Sequence, residues 1–156
     1  MSALAIIRPD DWDLPLFIHV LGAFVTVGAL ILAATYLVPA WREGSVASLR
    51  LGYRTLLWAA LPAFIVMRVG AQMIYDKWNF DEDPGWINLG YMTSDLGALL
   101  LLIATVVTGV GVRRATVPAE AGGTGEARGA RVAAVLVGVL LVLYLVSIWA
   151  MTTKPD

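Results

Sequence analysis

Hydrophobic residues run along this chain in four long stretches, Leu14 to Val38, Leu51 to Tyr75, Ser94 to Val112 and Arg131 to Met151. Each is close to or above the roughly 20 residues an α-helix needs to cross an apolar layer about 30 Å thick. A helix satisfies its own backbone hydrogen bonds, which lipid cannot do for it. The pattern predicts an all-α polytopic membrane protein, a four-transmembrane-helix bundle forming a single membrane domain over residues 1–156.

The polar segments between the spans set the expected orientation. Arg42, Arg50 and Arg54 gather around the first turn of the chain, and Arg113, Arg114, Arg128 and Arg131 flank the connection between spans three and four. Short cytoplasmic loops carry such an excess of basic residues, so both of these face the cytoplasm and both termini face outward. The acidic groups, Asp10, Asp11 and Asp13 at the start and Asp81, Glu82 and Asp83 in the centre, fall on the opposite side. Trp12, Trp78, Trp86 and Trp149 then become outer-interface anchors, with Trp41, Tyr53 and Trp58 near the inner interface.

Two connections differ in kind. Residues 115–130 include AEAGGTGEARG, whose small and polar residues suit a flexible cytoplasmic linker. The central segment, Asp76 to Tyr91, mixes acids with aromatic and apolar residues and reads as a loop on the membrane surface or over the bundle mouth. The first span lacks a preceding basic region and is too long for a signal sequence, so it is expected to be retained.

Composition agrees with a lipid environment: 59% of residues are hydrophobic and 15% charged. The chain has no cysteine, which removes disulfides and thiolate chemistry. A net charge of −1 gives no reason to expect nucleic acid as a partner. The bilayer, other membrane subunits or further copies of the chain are the expected partners. Ala, Gly, Val and Arg usage points to a bacterial plasma membrane.

Within the spans, ionisable side chains are few. Away from the basic inner ends that carry Arg54 and Arg131, they are His19, Arg68 and Asp95, joined on span two by Gln72, which shares a helical face with Arg68, Tyr75 and Asp76. Charge at mid-bilayer costs about 2.5 kcal/mol or more, so such residues mark a ligand, a pathway or a partner helix. We therefore take His19, Arg68, Gln72 and Asp95 as a candidate polar node near the outer surface. The three ionisable members each have a structural alternative: an interhelical hydrogen bond for His19, headgroup contact or a plain ion pair for Arg68, and helix capping for Asp95 behind Thr93 and Ser94. Pro62 removes a backbone donor from span two and predicts a kink there, with room for a cavity beneath Arg68.

A lone histidine limits cofactor chemistry. One chain cannot ligate haem with two histidines, but His19 with a methionine can hold haem, and thioethers with one imidazole suit Cu(I). Met67, Met73, Met92 and Met151 are the candidate partners of His19; each is also an ordinary core filler. Small residues recur at helical spacing on span one (Gly22, Thr26, Ala29, Ala33) and span three (Gly97, Ala104, Thr108, Gly111), which permits close contact within the bundle or with another protein.

FIHVLGAFVTVGALILAATYLVPAWR, from Phe17 to Arg42, resembles the opening helix of an uncharacterised family of bacterial integral membrane proteins, through its His-Val-Leu-Gly start and Pro-Ala-x-Arg exit. The likeness continues from Arg54 to Pro62 and on to Gly70, about half the chain in all. The first helix is also distantly similar to those of copper-resistance D proteins and HemJ-type protoporphyrinogen oxidases, which implies a metal- or haem-ligand role for His19 alone. The expected function is that of a non-enzymatic accessory or assembly subunit of a membrane complex. A haem- or copper-binding protein using His19 is the alternative, and a small transporter or proton pathway the third reading.

Overall fold

The computed structural model describes residues 13–77, 85–115 and 124–153. They form four helices: α1 Asp13–Glu43, α2 Val46–Asp76, α3 Gly85–Ala115 and α4 Thr124–Thr153. All four are long and apolar enough to cross a membrane. α1 packs against α2 and α4, α3 against α4 and α2, and α1 and α3 lie across the bundle from each other. We call the end where α1 and α3 begin and α2 and α4 finish the upper end.

The helices exceed their apolar cores because polar residues extend them. α3 begins at Gly85, so the expected central loop is helical from there, and the capping role expected of Asp95 does not hold. Asp95 stands ten residues into α3, about 15 Å along a continuous helix from its upper end. The expected linker 115–130 is also shorter than its composition implied, since α4 begins at Thr124; Glu126, Ala127, Arg128 and Ala130 are good helix formers. The acids at 81–83 and the tail 154–156 lie outside the described residues, as do Trp12 and Trp78.

Local chemistry explains the joints. Gly44 takes φ +68°, the left-handed conformation that ends a helix at little cost to glycine. Ser45 follows as N-cap of α2, its hydroxyl accepting from the Ser48 amide at 3.3 Å. Farther along α2, Leu56–Ala60 form a π-helical turn in which the Leu61 amide reaches back to the Leu56 carbonyl. The wider turn directly precedes Pro62, whose missing N–H cannot continue an ordinary helical ladder. The expected irregularity at Pro62 therefore takes the form of a π turn.

The small-residue stripes and a central group of leucines face inward, while most other large apolar side chains face outward. Both predicted stripes, Gly22 to Ala33 and Gly97 to Gly111, are buried within the chain itself. Leu30, Leu37, Leu56, Leu101 and Leu140 fill the centre, while Phe24 is 81% and Leu145 61% exposed on the perimeter, as a lipid-facing surface requires. Buried threonines hydrogen-bond their own helices: Thr26 donates to the Gly22 carbonyl at 2.7 Å, Thr105 to Leu101 at 2.8 Å and Thr108 to Ala104 at 2.6 Å. Trp41 receives the Arg131 guanidinium over its ring at 5.6 Å near the lower end. Trp149 projects outward near the top of α4. Trp58 projects outward about 18 Å along α2 from its lower end.

The tightest joint is between α1 and α2. A Cβ added at Gly22 would sit 2.5 Å from the Met67 nitrogen, and one added at Gly70 would sit 2.6 Å from the His19 nitrogen. The helices therefore touch backbone to backbone at two reciprocal points. Gly22→Leu or Gly70→Leu is expected to lower stability in detergent by about 3 kcal/mol, toward the upper end of overpacking costs. Gly28→Ala, where nothing lies within 4 Å, is expected to be neutral or slightly stabilising, as thermal unfolding followed by circular dichroism would show.

Candidate functional site

α2 packs on α3 through its lower third, with Leu49 near Gly111 and the Tyr53 ring near Gly109. Above the π turn the two helices meet at few points, because α2 is drawn to α1 by the glycine contacts. Long polar and aromatic side chains bridge the resulting gap. Arg68 donates to Asp95 Oδ1 at 3.0 Å, and its guanidinium lies 4.4 Å from the centre of the Tyr91 ring. Tyr91 donates to Gln72 Oε1 at 3.4 Å, and Gln72 donates in turn to Asp76 Oδ1 at 2.7 Å. Tyr75 meets Tyr91 edge to face at 5.4 Å.

The polar face of α2 therefore looks sideways at α3, with Gln72 and Asp76 exposed, rather than into the bundle centre. Its pairing with Asp95 resolves two charges at once. Arg68 is 31% and Asp95 69% exposed, so the pair sits at the edge of the bundle. An unpaired carboxylate is penalised by about 2.5 to 3.5 kcal/mol at the centre of a membrane helix and less toward its ends.

Behind this seam is a cavity of about 250 Å³ walled by all four helices. Ala23 and Val27 of α1, Ala71 of α2 and Ile148 of α4 make its surface chiefly apolar. His19 and Arg68 both reach its wall, but they do not bond to each other in the way a single node requires. His19 Nδ1 lies 3.0 Å from the Met67 carbonyl oxygen. A carbonyl only accepts, so in this contact Nδ1 carries a proton and donates it.

The methionine candidates separate by position. Met67 and Met151 line the cavity with His19, whereas Met73 and Met92 lie outside its wall. Among the described residues, no group of three or more His, Asp or Glu side chains is placed to hold a metal ion.

Tyr91, Ser94 and Tyr144 also line the cavity and were not singled out as site residues from sequence. Ser94 Oγ and Tyr144 Oη are buried without a hydrogen-bond partner among the described residues. The signal for Tyr144 was its spacing: Ala133, Val137, Leu140 and Tyr144 repeat at helical intervals along the buried face of α4. Gly97 of α3 faces it, and a Cβ there would stand 3.1 Å from the phenol oxygen.

No protein-family model, curated protein or solved structure matches the chain.

The seam makes a measurable claim. Arg68→Ala is expected to lower stability by about 1 to 3 kcal/mol, because it strands Asp95 and empties the contact with Tyr91. Arg128→Ala at the exposed start of α4 is expected to stay within about 0.5 kcal/mol. A double-mutant cycle with Asp95→Ala checks the pairing, since removing both charges is expected to cost less than the two single losses added together.

Proposed function

We propose that this chain is a membrane-embedded binding protein, an accessory unit rather than an enzyme, which holds a small lipid-soluble molecule in the cavity between its four helices. The observation that carries this reading is an apolar chamber walled by every helix, into which a few polar groups are set. Binding sites in helical membrane bundles have that composition: apolar walls for affinity and sparse polar groups for orientation. Its volume of about 250 Å³ is below the roughly 300 to 1,000 Å³ of clefts that enclose drug-sized ligands, so a compact head fits and a longer tail must leave it.

Transport through one chain fits less well. Below the cavity the core is closed by fully buried Leu30, Leu37, Leu56, Leu101 and Val137. The ion pair and its hydrogen-bonded neighbours lie in the upper half, and the buried Thr105 and Thr108 below them are spent on their own helix. The basic residues Arg42, Arg50, Arg54, Arg113, Arg114, Arg128 and Arg131 all belong to the lower end, which supports placing that end in the cytoplasm and the cavity in the outer leaflet.

A metal-handling reading has one specific observation in its favour. Metal-bound histidines usually donate their other ring N–H to a carbonyl or carboxylate, as His19 does to Met67, and Met67 and Met151 offer thioethers on the same wall. Copper suits this set better than haem, whose macrocycle exceeds the chamber. On that reading His19→Ala loses the metal and leaves helicity unchanged.

Native mass spectrometry of protein extracted gently from its own membrane tests both readings. The binding reading predicts one organic adduct per chain, lost in Ala71→Trp, which fills the chamber. A copper increment lost in His19→Ala would favour the metal reading instead, and bare protein from several mild extractions would contradict both.

A further inference from the structure

The perimeter of the bundle differs from face to face. On α4 every exposed residue from Val132 to Met151 is apolar or glycine, and on α1 the same holds from Leu14 to Val38 except for Thr35, whose hydroxyl bonds its own helix. Those faces suit lipid tails. The α2–α3 face does not, because Asp95 is 69% exposed and Gln72 and Asp76 stand exposed beside it.

Charge on this face is left unbalanced. Arg68 donates to Asp95 Oδ1, while Oδ2 has no partner among the described residues. Asp76 accepts from the neutral Gln72 amide. Lys77 falls on the far side of α2, about two and a half turns beyond Arg68. Two carboxylates therefore face one guanidinium, and a carboxylate has acceptor sites for a second cation.

Below the charges the walls are apolar and stand apart. Leu61 and Ile65 continue the line of Arg68 down α2, and Ala98 and Leu102 continue that of Asp95 down α3, over the stretch where the two helices meet at few points. The seam is thus the upper end of a groove. Ile65 and Leu102 are both exposed along it.

Resting on the reading of this chain as an accessory unit, and independently of any guest in the chamber, we propose that this groove docks a transmembrane helix of a different protein. That helix carries an arginine or lysine at the level of Asp95 and lays apolar side chains between Ile65 and Leu102. Ionisable groups persist in membrane spans where a partner meets them, and the missing charge is positive. A second copy does not supply it: two-fold pairing would oppose two like faces, and apart from Arg68 the arginines of the described helices lie at the lower end. Phospholipid tails fit the walls, but their phosphates meet a face already negative.

The test puts the photocrosslinking amino acid p-benzoylphenylalanine in place of Leu102, or of Leu145 on α4 as the reference, in the full chain in its own membrane. Adducts are identified by peptide mass spectrometry. The expected result is an adduct at Leu102 to a membrane-spanning segment of another protein with Arg or Lys in its outer half. Asp95→Asn is expected to lower its yield about tenfold, as loss of one hydrogen-bonded charge contact would give. Combining Arg68→Asp with Asp95→Arg keeps an internal ion pair but reverses the exposed charge, and is expected to retain helicity and lose the adduct. If that variant does not fold, Asp76→Asn, which leaves the Arg68–Asp95 pair intact, decides by lowering the yield. An undiminished adduct in the deciding variant overturns the inference, as does an adduct at Leu102 to lipid alone, to a second copy or to a segment without a basic residue. A protein adduct at Leu145 and none at Leu102 removes this docking face and leaves the accessory reading standing. If neither position gives a protein adduct, both fall.

Discussion

Backbone contact between α1 and α2 is the constraint from which the upper half of this molecule follows. Gly22 and Gly70 have no side chain to hold the helices apart, so the backbones meet at Met67 and His19, each three residues before the glycine on its own helix. The same closeness brings the His19 ring to the Met67 carbonyl, to which Nδ1 donates. It also draws the upper half of α2 away from α3, to which its lower third is packed. A bundle of equally spaced helices would have neither the cavity nor the seam.

The seam is then a consequence of distance rather than a feature added to a finished fold. Backbones that far apart cannot pack through alanine and glycine, so the gap is spanned by arginine, glutamine and two tyrosines. Arg68 is suited to the task because its planar guanidinium meets a carboxylate at its edge and an aromatic ring at its face. Below the π turn, where α2 lies against α3, small and apolar residues suffice and the core is continuous. The molecule therefore divides into a dry lower half that sets the fold and an upper half built around a space.

Much of this architecture was legible in the sequence, because lipid imposes a length and an apolar character that single residues report directly. The four spans, the small-residue stripes and the irregularity at Pro62 follow from elementary rules about helices. Helix ends were harder to read: residues 85–93 and 124–130 resemble loops in composition, yet α3 continues through the first with Ile87, Gly90 and Thr93 buried, and good helix formers carry α4 through the second. That misreading made Asp95 look like a cap, when it is the partner of Arg68. The reciprocal glycines were visible, but pairing Gly22 with Gly70 requires knowing which helices are neighbours. Tyr91 and Tyr144 escaped notice for a similar reason, since a tyrosine in a helix declares its partner only once the facing helix is in place.

The central claim is that the upper half encloses a chamber kept open for a guest. An experimental structure of the chain crystallised from its own lipids tests it most directly. The account predicts α1 and α2 in backbone contact at Gly22 and Gly70, the Arg68–Asp95 bridge across the seam, and non-protein density in the cavity behind that seam. Helices closed upon one another, with Tyr144 bonded to protein and no space behind Arg68, would contradict it.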